Sequence, residues 1–136
     1  MTGREYMDTI RRVRREIRLL GEQIERDTVL AAGVSAIRYD KDPVQVSPSG
    51  DRMVDIVARI SENTDILKQR ISYLQELENA ARVYLVNLRE DHERVLTLHY
   101  LDGLSWLAVS ESMGYSERHV FRLHDQALAE LDELLN

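Results

Sequence analysis

The chain has no cysteine in 136 residues, which excludes a disulfide framework, a thiol nucleophile and a cysteine-based zinc site. That absence suits a reducing compartment, and a cytoplasmic location is the expectation. Proline is scarce as well. Pro43 and Pro48 are the two in the chain, and together with six glycines they leave long stretches free to stay helical. No apolar run approaches the roughly 20 residues needed to cross a bilayer, and the N-terminus is charged where a secretory signal would carry a short apolar block. No membrane partner is expected. Positive charge is also in deficit, with 18 Lys and Arg against 24 Asp and Glu and a formal net charge of −6.

What is present is Leu, Ile, Arg and Glu at helical spacing, which predicts an all-α chain with room for one domain-sized core. From Tyr6 the apolar residues recur as Tyr6, Ile10, Val13, Ile17, Leu20 and Ile24, alternating four and three apart, which is a coiled-coil seam. A second seam runs through Met53, Val57, Ile60, Thr64, Leu67, Ile71 and Leu74 and continues past Glu78 to Ala81, Leu85 and Leu88. Folded back on each other, the two seams match over their shared length. The pairs would be Leu20 with Ile60, Ile17 with Thr64, Val13 with Leu67, Ile10 with Ile71 and Tyr6 with Leu74. Glu78 would then fall beyond the first helix with nothing to bury it. The expected architecture is a long antiparallel coiled-coil hairpin over 1–88, able to fold by itself, followed by a helix-turn-helix domain over 89–136. This matching favours a hairpin within one chain; the same seams leave a homo-oligomer open as the alternative, because heptads alone do not set partner or orientation.

Between the seams, residues 31–50 read as a long connector. Pro43 and Pro48 hold Asp42 and Ser47 extended, Ser49 or Asp51 can cap the following helix, and Ile37, Tyr39, Val44 and Val46 alternate as short extended pieces would. The arginines of the first helix, Arg11, Arg12, Arg14, Arg15 and Arg18, could form a nucleic-acid patch. The simpler reading, which is favoured, is a solvated face paired with Asp8, Glu16 and Glu22.

Residues 101–124 carry two helix starts and one tight turn. Ser105 can cap a helix with Trp106, Val109 and Met113 on one face, and Gly114 stands where a left-handed residue ends such a helix cheaply. Ser116 can cap a second helix whose buried stripe is Val120, Leu123, His124, Ala127 and Leu131. On the opposite face, Arg118 and Arg122 stand four apart with Gln126 below them, as a recognition helix presents side chains to a major groove. The preceding helix, with Val95, Leu96, His99 and Tyr100, should end at Leu101 with Gly103 as its stop. Ser116, Glu117, Arg118, His119, Arg122 and Gln126 are therefore the expected DNA-binding residues, with double-stranded DNA as partner and residues 116–131 as the reading helix. Phe121, Leu128 and Leu135 form a second apolar edge, expected to meet the coiled coil or another protein.

Two features weigh against chemistry and against easy DNA binding. All four histidines, His92, His99, His119 and His124, lie in the last third, but His92 and His99 are two turns apart and no carboxylate set joins them. No metal, no cofactor and no enzymatic activity are expected. Residues 89–136 hold four Arg against ten acids, among them Glu90, Asp91 and Glu93 before the motif and Glu130, Asp132 and Glu133 after it. Low intrinsic affinity, steep salt dependence or a recruiting partner should follow.

The segment from Val95 to Leu131 resembles region 4 of sigma-70-type factors, through Leu98, Gly103, Ser105, Gly114, Ser116, Val120, Ala127 and Leu128. It departs from that pattern in carrying Ser110 where an alanine is usual and Leu107 where an acid is usual. More of the chain, through YDKDPVQVSPSGD at 39–51 and GYSERHVFRLHDQAL at 114–128, resembles phage-encoded late-gene regulators of the ArpU/RinA type. The resemblance implies a DNA-binding transcriptional regulator working with bacterial RNA polymerase, whose contact would fall on Phe121, Leu128 and Leu135. The alternative is a phage assembly or adaptor protein in which the coiled coil is the working interface and the helix-turn-helix is structural.

Overall fold

The computed structural model describes residues 1–40 and 48–136, with side chains at 1–34 and 50–136. Among the described residues there is no strand. Helix α1 spans Gly3–Asp40 and α2 spans Pro48–Leu85, forming a long helical hairpin; α3 is Glu90–Leu96, α4 Trp106–Met113 and α5 Glu117–Leu135. Between α3 and α4 the chain makes a π-helical turn, Thr97–Leu101.

The connector is shorter than expected. Residues 31–40 continue α1, since Ala31, Ala32 and Ala36 are strong helix formers and no proline intervenes before Pro43. Helix α2 starts at Pro48, whose missing N–H costs nothing in a first turn, so Ser49 and Asp51 lie inside the helix and not before it. Ile37 and Tyr39 are therefore on a helix, and Val44 and Val46 lie outside the described residues.

The hairpin register differs from the expected one by about three to six residues. Asp27 pairs with Arg59 at 3.1 Å and Glu16 with Arg70 at 3.3 Å, while the Tyr6 hydroxyl donates to the Leu77 carbonyl at 2.9 Å. Ile56 takes the buried position given to Val57, and Ile71, expected opposite Ile10, is 40% exposed. Both α2 stripes are apolar enough to serve, so spacing alone leaves the heptad phase open. The first seam also runs beyond Ile24 to buried Asp27 and Val34.

Two compact units result, divided within the long helices and not at position 88. Residues 15–72 form one, with Ile56 and Val34 buried in it and Asp27 held by Arg59. Residues 1–14 and 73–136 form the other. Its core joins Met7 and Ile10 of α1, Ala81 and Leu85 of α2 and Leu88 to Val95, Leu96, Val109, Val120 and Leu131. The open end of the hairpin is thus part of the helix-turn-helix core, and a hairpin cut at 90 would lose the partners of Met7, Ile10 and Leu85.

Candidate nucleic-acid interface

Helix α4 begins where expected: Ser105 is its N-cap, and its hydroxyl accepts from the Ala108 N–H at 3.2 Å. Gly114 closes the helix at φ 72°, in the left-handed region that is costly for residues with a Cβ. Ser116 caps α5, accepting from the His119 N–H at 3.2 Å. Ser110, the small residue where the sigma-like pattern has alanine, is buried and donates from its hydroxyl to the Tyr115 carbonyl at 2.7 Å. It ties α4 to the turn, something an alanine cannot do.

Val120, Leu123, His124, Ala127, Leu128 and Leu131 make up the buried face of α5. Away from it, Ser116, Glu117, Arg118, Arg122 and Gln126 are all exposed. His119 is half-buried and meets Tyr115 edge to face, with ring centroids 4.6 Å apart. Arg118, Arg122 and Gln126 thus follow one another at four-residue spacing along the exposed side of α5. The apolar edge does not survive as drawn. Phe121 is 43% exposed and packs edge to face on Trp106, but Leu128 is 4% exposed and Leu135 is half-buried against the same core. The reason is Gly3, which brings α1 so close that an added Cβ would meet the Leu128 carbonyl at 3.1 Å and the Leu131 side chain at 3.1 Å.

Behind the exposed side of α5 lies an aromatic and histidine core. The Tyr100 hydroxyl and His124 Nε2 are 2.6 Å apart, and His99 stacks on Trp106 with centroids 3.7 Å apart. With Tyr100 donating to Nε2, the neutral His124 carries its proton on Nδ1, which lies 3.5 Å from Asp125. His99 Nδ1 meets the Leu104 carbonyl at 2.8 Å, so that nitrogen is the donor and buried Nε2 has no partner. Burial pushes both histidines down from the ordinary imidazole range and pushes the Tyr100 phenol up to about 12. These are structural histidines, kept neutral by their surroundings.

Two uses of charge were not legible in the sequence. Arg14 leaves the solvated row: its guanidinium donates to the carbonyls of Tyr100 and Leu101 and to the Glu78 carboxylate at 2.7 Å. It thereby satisfies the end of the π-helical turn, and it gives Glu78 a partner where none was expected, because the actual register sets the two charges side by side. The acids late in α5 are also engaged. Glu130 accepts from the Arg89 N–H at 2.7 Å and meets His92 Nδ1 at 2.7 Å, holding the start of α3, while Asp132 accepts from the Gly3 N–H. Burial would raise the Glu130 carboxyl, but the Arg89 N–H and His92 outweigh it and hold it below its ordinary range. Such long-range pairings carry no sequence signal beyond the presence of opposite charges.

No helix among the described residues is long and apolar enough to cross a membrane. No protein-family model and no solved structure matches the chain. Among curated proteins it is 28% identical over 109 residues to RNA polymerase sigma-F factor of Kitasatospora aureofaciens. That alignment takes in 80% of this chain but 35% of the relative, so the chain spans about a third of the protein it is similar to.

Proposed function

We propose that this chain is a DNA-binding transcriptional regulator, of the phage or prophage late-gene activator type, in which α5 enters the major groove. The observation that carries this reading is the capped α4–turn–α5 unit, with left-handed Gly114 at its corner and Arg118, Arg122 and Gln126 exposed on the face away from the core. Its likeness to a sigma factor supports the same reading. Arg118 and Arg122 would contact bases or phosphates, with Ser116, Glu117, His119 and Gln126 flanking them. The protein has no catalytic role in this proposal, works in the cytoplasm and acts together with RNA polymerase, for which Phe121 is accessible.

A second reading, an assembly or adaptor protein working through its coiled coil, is favoured by the acidic last third and by exposed Val54 and Val57 on α2. Footprinting the protein on the DNA around its own gene, with and without polymerase, separates the two. Specific protection that weakens by about 1–3 kcal/mol in Arg118→Ala or Arg122→Ala, with folding intact, supports the regulator. No protection in any condition promotes the adaptor.

A further inference from the structure

The reading face of α5 does not end at its own residues. Arg118, Arg122 and Asp125 are spaced four and three apart and so lie on one side of the helix. The Arg4 guanidinium of α1 reaches Asp125 at 3.6 Å, and both side chains are largely exposed, at 58% and 72%. Arg4 thus stands at the foot of the Arg118–Arg122 row, about 10 Å along the axis from Arg118 at 1.5 Å per residue. Arg11, seven residues after Arg4, shares its side of α1 and is exposed. Asp8 stands between the two arginines and is exposed as well. Arg4 and Arg11 on α1 and Arg118 and Arg122 on α5 are thus four exposed cations of one compact unit, with Asp8 and Asp125 among them.

We propose that Arg4 and Arg11 form a second nucleic-acid contact, binding phosphodiester oxygens of duplex DNA beside the groove that α5 enters. This rests on the DNA-binding reading above and adds the N-terminal helix to it. The chemistry follows from the charge. A domain with ten acids in its last 48 residues needs cations from elsewhere, and the first turns of α1 supply them within the same compact unit. Asp125 is the resident competitor: in free protein it pairs with Arg4, and on DNA a phosphate takes its place. Exposed pairs of this kind are weak, so the exchange is cheap.

The full-length protein is titrated with a labelled mixed-sequence duplex and with the duplex from its own footprint, over a range of salt. Arg4→Ala and Arg11→Ala should each weaken binding several-fold at low salt, reduce the slope of log K against log salt by about 0.9, and weaken both duplexes equally. Arg4→Lys should restore the slope, and Asp125→Asn should tighten binding several-fold. Thermal melts of the Arg4 and Arg11 variants should be unchanged, because those side chains are exposed. If wild type binds and Arg122→Ala weakens it while Arg4→Ala and Arg11→Ala leave affinity and slope as they were, the flank is overturned and the regulator reading stands. If wild type binds neither duplex at any salt, both fall together.

Discussion

Removing the Arg14 side chain should cost far more than removing that of its neighbour Arg15. Arg14 is one of a row of arginines, yet its guanidinium is committed to two main-chain carbonyls and to a carboxylate, with side-chain exposure of 31% for Arg14 and 19% for Glu78. Hydrogen bonds from a charged donor contribute about 1.5–3 kcal/mol each when buried. An exposed ion pair is worth about 0–1 kcal/mol, and breaking a fully buried one costs about 3–5 kcal/mol. Partial exposure sets this site between those limits, and we expect Arg14→Ala to destabilise by roughly 2–3 kcal/mol. Arg14→Lys should recover part of that, since one ammonium cannot span three acceptors as a planar fork does. Trp106, the single tryptophan, stacks on His99 in the same compact unit, so its fluorescence during urea unfolding reports the unit that Arg14 supports. Arg15→Ala, at an exposed position, is the control and should stay within about 0.5 kcal/mol. Equal losses for Arg14→Ala and Arg15→Ala would refute the reasoning and return Arg14 to the solvated row.

Gly114→Val should cost at least about 1 kcal/mol by thermal melt and Gly114→Asn much less, because φ is 72° but no atom lies within 4 Å of an added Cβ. Gly103→Ala should cost more than the backbone term alone, since its Cβ would also meet Arg14 Nη1 at 3.3 Å; in an Arg14→Ala background that excess should vanish. Stability should fall as pH drops below about 6.5, because the unfolded chain then takes up protons that His124 and His99 refuse while buried. Above that pH both states hold neutral imidazoles and the effect is gone; His124→Gln should flatten the dependence, followed by melting at pH 5 and 7.5. Ile10→Asp buries an unpaired charge and should lose several kcal/mol with the Trp106 signal, whereas Ile71→Asp, at a 40% exposed position, should be mild.

Short-range features were legible because their causes are local. Ser105, Ser116, Gly103 and Gly114 stand within a few residues of the groups they cap or turn, so spacing alone located both helix starts, the corner and the exposed Arg118–Arg122 row. The helical character of α1 and α2 followed from heptads and from the scarcity of proline. Register did not, since apolar stripes through Ile56 and through Val57 were both available; packing buries Ile56, and Asp27 with Arg59 and Glu16 with Arg70 then meet across the hairpin. The roles of Arg14, Glu130 and Asp132 depended on that choice and on chain segments far apart in sequence. A charge on a helix reads the same whether it faces water or a distant carbonyl. Which helices form, and where they turn, was determined by sequence acting over three or four residues; which stripe is buried, and which charges are consumed in holding it, was decided by tertiary packing, because an apolar stripe or an ionised group has no preferred partner until the fold brings one within reach.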